Sequence, residues 1–132
     1  MLENEQKILV DSSVWIDYFK SGKNSALLDN FIDQNIIYVN DLILSELIPY
    51  LNIKKQTKVI RLLYNISKIP LNINWENIIS LQTLCLKKGI NKVGIPDLII
   101  LDNVLSNNLY LYTLDKHFKL IHNHKNFLLI DY

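Results

Sequence analysis

The sequence predicts an α/β fold: a central, mostly parallel sheet of four to five strands between two helical layers, in a three-layer α/β/α arrangement. Short apolar segments with strand character alternate with longer amphipathic segments, the order typical of parallel sheets. Glycine and proline, which interrupt regular structure, number only 3 each. Hydrophobic residues make up 49% of the 132 residues, so we expect one domain with one core over residues 1–132.

Each predicted strand is a short apolar run. In chain order the predicted strands are 7–10, 36–39, a weak one at 69–73, 109–114 and 127–131. The predicted helices are amphipathic segments at 12–20, 24–34, 42–51, 54–66, 75–88, 93–107 and 115–121. The residues expected to cap them at the N-terminus are Ser12 or Ser13, Asn24 or Ser25, Asn40 or Asp41, Asn74 and Asp115.

Glycine and proline refine these boundaries. Gly22 and Gly89 are expected just past helix ends, and Pro96 in a first helical turn. Pro49 is predicted to kink or break the helix at 42–51, because proline has no amide proton for the helical ladder.

Composition and charge exclude several classes of protein. A net charge of +1 gives no global basic field, so nucleic-acid binding would need local contacts or cations. A single cysteine, Cys85, excludes an intrachain disulfide, and no apolar run reaches the roughly 18 residues of a membrane span. The acidic N-terminal segment is unlike a signal peptide, so we expect a cytoplasmic protein.

Four acidic residues follow strands or begin helices in this arrangement. Asp11 closes the first strand, Glu46 lies early in the helix after the second, Asp97 is in a first helical turn, and Asp115 follows the strand 109–114. The carboxyl ends of parallel strands lie at one edge of a sheet, where ligands bind. We therefore expect the four side chains to converge, although each taken singly has an ordinary explanation as a turn, cap or surface residue.

Converging carboxylates repel one another unless a cation compensates their charge. Oxygen ligands without a supporting His or Cys favour Mg²⁺ or Mn²⁺ over zinc. Because Mg²⁺ commonly shares phosphate oxygens of a substrate, the cluster indicates metal-assisted hydrolysis of a phosphodiester.

Four segments carry a resemblance to a known family: "VDSSVWIDYF", "NDLILSEL", "GIPDLIILDNVL" and "YTLDKHFKLI". In order and spacing they resemble the motif regions of PIN-domain ribonucleases, and most closely those of VapC-type toxins of toxin–antitoxin pairs. The resemblance implies a PIN-like fold. It also implies that Asp11, Glu46, Asp97 and Asp115 are the catalytic and metal-binding acids, with Ser12 and Thr113 assisting through their hydroxyls.

The resemblance further implies Mg²⁺ (or Mn²⁺) as cofactor, RNA as substrate, a cognate antitoxin as partner and a homodimer. Helices of the segment 46–66 offer apolar residues near the second acid that could form a groove for a partner helix; packing within the chain itself is an alternative. The alternative function is a catalytically inactive PIN-like binding module. A receiver domain is disfavoured because "VDSS" lacks paired acids, and a haloacid-dehalogenase-type phosphatase because Ser13 stands where it needs an aspartate.

Several other polar residues are interpreted as lying outside the cluster. Asp17 and Asp102 are expected to be solvated or capping residues. The three histidines, His117, His122 and His124, are expected at the surface, where with neighbouring lysines they could contact RNA phosphates. Lys54, Lys58 and Arg61 are predicted to share one helical face, either simply solvated or tracking phosphates.

Overall fold

The computed structural model describes residues 6–20, 22 and 25–130. Five strands form within the described residues: β1 (Ile8–Val10), β2 (Ile37–Val39), β3 (Ser67–Lys68), β4 (Tyr110–Tyr112) and β5 (Leu128–Ile130). The helices there are α1 (Ser12–Phe19), α2 (Ser25–Gln34), α3 (Asp41–Ile53), α4 (Thr57–Asn65), α5 (Trp75–Lys87), α6 (Ile95–Ser106) and α7 (Lys116–His122).

The strands form one parallel sheet in the order β3-β2-β1-β4-β5. Ile8 pairs with Ile37 of β2 on one side and with Tyr110 of β4 on the other. The chain runs from β1 outward to β2 and β3 on one side of the sheet and then returns to β4 and β5 on the other side. The order of the strands therefore switches direction at β1. Ligand sites of such sheets lie at this switch point, beyond the carboxyl ends of the strands.

Both faces of the sheet are covered by helices. Consecutive strand residues point to opposite faces, and Ile8, Leu9 and Val10 of β1 are all 0% exposed. A strand buried on both faces is typical of parallel sheets with helices on either side. The predicted α/β fold with a mostly parallel sheet of four to five strands is thus confirmed, and the described residues form five strands that are all parallel.

Most helix boundaries agree with their sequence signals. Asn40 caps α3 by accepting a hydrogen bond from the Ile43 amide at 2.8 Å, and Asn74 caps α5 in the same way. Gly89 follows α5 at a φ of 70°, a conformation that glycine adopts without strain. Gly22 lies past α1, where a Cβ would overlap the Asp17 carboxylate.

Some local predictions are wrong. The weak strand at 69–73 does not form; the edge strand β3 ends before it, at Lys68. Pro49 does not break α3, which continues to Ile53 because Leu47, Ile48 and Leu51 are buried in the core. The N-cap of α1 is Asp11 rather than a serine, and of the two candidates for α2, Asn24 lies outside the described residues.

Candidate active site

Asp11 lies at the switch point of the sheet, directly after β1. Asp11 is 5% exposed. Although it occupies the N-cap position of α1, its side chain makes no capping hydrogen bond. Instead, the hydroxyls of Ser13 and Thr113 both donate to its Oδ2, each at 2.8 Å. A backbone hydrogen bond from Ser12 adds to these two and also lowers the pKa of the Asp11 carboxyl.

The two hydroxyls also join the end of β1 to the end of β4. Thr113 is fully buried, and its Oγ1 accepts a hydrogen bond from the Asp115 amide at 3.0 Å. Ser13 Oγ accepts one from the Leu114 amide at 3.0 Å. The chain that leads to Asp115 is therefore fixed against Asp11.

Asp97, Asp115 and His117 form a second part of the same site. One donor atom of each residue lies within 4.8 Å of one donor atom of each of the others, and all three are half-buried. Asp115 caps α7 by accepting from the His117 amide at 2.9 Å, and its Oδ1 also lies 3.0 Å from His117 Nδ1. Asp97 is held in the first turn of α6, after the N-cap Gly94.

The carboxylates influence one another electrostatically. Burial raises the pKa of Asp11, as does the charge of Asp115, against the lowering effect of its hydrogen bonds. Desolvation raises the pKa of Asp97, and the charges of Asp115 and Asp11 add to it, whereas His117 opposes it. Glu46 has an exposed side chain, yet partial desolvation raises its pKa, with smaller contributions from Asp11 and Asp97.

This arrangement concentrates negative charge at one edge of the sheet. Asp11, Glu46, Asp97 and Asp115 come from four separate segments and interact in one place. A raised pKa means that the ionised form is disfavoured in the absence of a counter-charge. The site can therefore hold a divalent cation, which would supply that charge.

Comparison with known proteins identifies the family. The sequence matches the PIN domain over residues 8–123. The chain belongs to the PIN domain family. No curated protein matches the sequence significantly.

Solved structures resemble this PIN domain in fold. A chain of DNA-bound VapBC from Salmonella typhimurium aligns with a TM-score of 0.76 at 16% identity, covering 96% of this chain and 98% of that chain. VapBC2 from Rickettsia felis, bound to a promoter DNA fragment, gives 0.76 at 20% identity, with coverages of 96% and 99%. VapBC-1 from nontypeable Haemophilus influenzae gives 0.72 at 20% identity, with coverages of 96% and 98%.

Two residues of this PIN domain site were not predicted from the sequence. His117 contacts Asp115 and is not a freely solvated histidine. The cap signal at Asp115 could have placed it there, because His117 lies in the first turn of the helix that Asp115 caps. Ser13, not Ser12, donates to Asp11 together with Thr113. The Ser12 side chain instead interacts with Glu46 and lowers its pKa.

Other predicted positions lie away from the acids. Asp102 is not solvated: it is 5% exposed and accepts a hydrogen bond from Asn77 Nδ2 at 3.0 Å. His122 is exposed, and its Nε2 lies 3.0 Å from the Phe127 carbonyl. Lys54 is the C-cap of α3, whereas Lys58 and Arg61 lie on α4, so the prediction that the three share one helical face is wrong.

An apolar groove adjoins the acidic site. It has a volume of about 650 Å³ and lies between α1, α3 and α4, with Glu46 in its lining. Its lining also includes Ile16, Phe19, Leu47, Tyr50 and Val59, together with Lys20 and Lys54. Ile16 is 46% and Tyr50 62% exposed, so a substantial apolar surface faces solvent beside the carboxylates.

Proposed function

We propose that this PIN domain is a metal-dependent endoribonuclease, and that it is the toxin of a type II toxin–antitoxin pair. The observation that carries the proposal is the mutual electrostatic interaction of Asp11, Glu46, Asp97 and Asp115 at the switch point of the sheet. Excess carboxylate charge at a ligand-binding edge is costly to the fold unless it serves a bound cation. Membership of the PIN family and the likeness to VapBC structures support the proposal.

The donor set fits Mg²⁺ or Mn²⁺. Carboxylate oxygens are the ligands that these ions favour, and few protein carboxylates suffice when a substrate phosphate completes the shell. Asp11, Asp97 and Asp115 would hold the ion, with Glu46 at the edge of the cluster. The chemistry that such an ion supplies when bound is activation of water and compensation of charge on the phosphoryl oxygens.

The residues of the chain prepare the site for that chemistry. Ser13 and Thr113 fix Asp11 in one orientation and therefore spare the site a reorganisation during the reaction. Helices α1, α3 and α7 each begin shortly after a parallel strand, so their positive N-terminal ends face the edge where a phosphate would bind. Cleavage would leave a 5′-phosphate and a 3′-hydroxyl.

Cleavage of total cellular RNA tests the function. The purified protein is incubated with Mg²⁺ or Mn²⁺, and the new RNA ends are mapped by sequencing beside Asp97→Asn. Asp41→Asn is the matched control, because Asp41 is an exposed carboxylate whose ion pair with Lys68 lies on the surface. We expect cleavage by the wild type and the control and none by Asp97→Asn.

The opposite results are equally informative. Wild-type cleavage that Asp97→Asn retains would refute the site. A wild type that neither binds Mn²⁺ nor cleaves RNA would favour the alternative of an inactive PIN-like binding module.

We also propose that the apolar groove beside Glu46 receives a segment of the antitoxin. A helix with apolar anchors would bury the exposed Ile16 and Tyr50, and acidic side chains on it would meet Lys20 and Lys54. Such a segment would cover the edge of the acidic site and exclude RNA. The mass of the purified protein, alone and co-expressed with the product of the neighbouring gene, tests both this pairing and the proposed homodimer.

The membrane is no part of this proposal. Among the residues that the structure describes, no helix combines the length and the hydropathy needed to cross a bilayer.

A further inference from the structure

His117 lies close to Asp97 and Asp115, two of the proposed metal ligands. Its Nδ1 lies 3.0 Å from Asp115 Oδ1, and a donor atom of Asp97 lies within 4.8 Å of both residues' donor atoms. The imidazole is about a third exposed, so it is open to an ion or a substrate. Three donors from two helix N-termini therefore face one small volume.

We propose that His117 supplies a nitrogen ligand to the divalent cation held by Asp97 and Asp115, so that this site favours Mn²⁺ over Mg²⁺. The inference rests on the proposed function, since it concerns the cation of the same site. Mg²⁺ prefers oxygen donors, whereas imidazole nitrogen binds divalent transition metals better. Replacing one oxygen of the shell by nitrogen thus shifts selectivity toward Mn²⁺.

The spacing of the donors agrees with ligation. In an octahedral shell with bonds of about 2.1 Å, adjacent donors lie about 3.0 Å apart. Nδ1 of His117 and Oδ1 of Asp115 have this separation, so a cation that displaces a proton lying between the two atoms could bind both of them.

Orientation of Asp115 does not by itself require the imidazole. The backbone amide of His117 already donates to Asp115 Oδ1 at 2.9 Å, and Thr113 fixes the Asp115 amide. The ring is also too exposed to be needed for packing of the core. A ligand role for the imidazole is therefore compatible with the hydrogen bonds that already hold Asp115 in place.

Spectroscopy of bound Mn²⁺ tests the inference without reference to catalysis. Electron spin echo modulation detects a directly coordinated ¹⁴N, and titration gives the Mn²⁺ and Mg²⁺ dissociation constants. The first variant is His117→Asn, whose side-chain amide can still donate a hydrogen bond to Asp115 but is a poor metal ligand. The control is His124→Asn, at an exposed histidine outside the cluster. Thermal unfolding in a chelator verifies that each variant is folded.

We expect a ¹⁴N signal in the wild type and in His124→Asn, and none in His117→Asn. The preference for Mn²⁺ over Mg²⁺ should fall by about tenfold or more in His117→Asn, because loss of a mere hydrogen-bonding partner of a ligand already costs about 10–100-fold in metal affinity. It should stay unchanged in the control. Bound Mn²⁺ without a nitrogen signal, or an unchanged preference in His117→Asn, would overturn the inference.

Asp97→Asn separates this failure from failure of the proposed function. Mn²⁺ binding that depends on Asp97 but shows no nitrogen would refute the role of His117 and leave the metal site standing. Mn²⁺ binding that is absent, or is indifferent to Asp97, would refute the metal site and the role of His117 with it.

Discussion

Asp11 and Asn40 occupy equivalent positions on neighbouring strands, yet their side chains are used differently. Each directly follows a parallel strand, β1 or β2, each is at most 5% exposed, and each is the N-cap of the next helix. Both polar atoms of the Asn40 side chain have hydrogen-bond partners: Oδ1 accepts from the Ile43 amide, and Nδ2 donates to Asn103 Oδ1 at 2.9 Å. The Asp11 side chain instead makes no capping hydrogen bond, and the pKa of its carboxyl is raised.

The difference distinguishes a polar group that stabilises the fold from one that serves a site. The neutral amide network continues from Asn103 to the Pro70 carbonyl at 3.1 Å, so its polar atoms are paired within the chain. The acids carry more negative charge than their hydrogen-bond partners compensate, so a bound cation is needed to offset their electrostatic repulsion. Substitutions at the two positions should therefore affect different properties of the protein.

The largest expected effect is on activity, at Asp11→Asn. Loss of the carboxylate should lower RNA cleavage by at least about 10³-fold, or about 4 kcal/mol in activation free energy. Its unfolding free energy in a chelator should not fall, because the substitution removes a buried charge whose ionisation the fold disfavours. Single-turnover kinetics measure the cleavage rate, and urea unfolding measures the free energy of unfolding. An Asp11→Asn variant that is destabilised but still active would contradict the proposed role of Asp11.

The converse substitution, Asn40→Asp, should affect stability. A carboxylate cannot donate to Asn103 Oδ1, so the network would lose a buried hydrogen bond and gain a buried charge, at about 3 kcal/mol of unfolding free energy. Cleavage per folded molecule should stay within about twofold, well under the 1.4 kcal/mol that a tenfold change requires. Asn30→Asp, at an exposed position of α2, is the control and should change stability little.

Cation binding should reveal the charge imbalance directly. Free Mn²⁺ at about 100 times its dissociation constant should raise the wild-type unfolding free energy by about 2.7 kcal/mol. The effect should persist in Asn40→Asp and disappear in Asp97→Asn. Equal stabilisation of all three proteins would show that Mn²⁺ binds elsewhere.

The smallest expected effect is on the pH dependence of the unfolding free energy, measured in a chelator. The pKa values of Asp11, Glu46 and Asp97 are raised in the folded state, so between the unfolded and folded values the native chain binds more protons than the unfolded one. Stability from these groups is therefore fully present at acidic pH and falls as pH rises through the raised pKa values. Asp11→Asn should show a shallower decline than the wild type in urea unfolding at stepwise pH, and an identical profile would contradict the electrostatic coupling.

The order of the strands and helices and most of the helix caps could be predicted from local sequence signals. Alternating periodicity and the residues Asn40, Asn74 and Asp115 predicted the parallel sheet and three helix starts, because these signals are local. The rule for strand ends also selected the acids at 11, 46, 97 and 115, whose catalytic roles remain predictions. The assignment to one domain over residues 1–132 and the cytoplasmic location likewise remain predictions.

The residues that contact those acids, in contrast, follow from the packing of segments that are distant in the sequence. Successive residues of a helix point about 100° apart at 3.6 residues per turn, so of two adjacent serines Ser13 turns toward Asp11. Asp102 is buried because α5 packs against α6 and brings Asn77 to it, a contact between residues 25 positions apart. His117 joins Asp97 because separate helices begin at the same edge of the sheet, and such a distance across the fold has no signal in the local sequence.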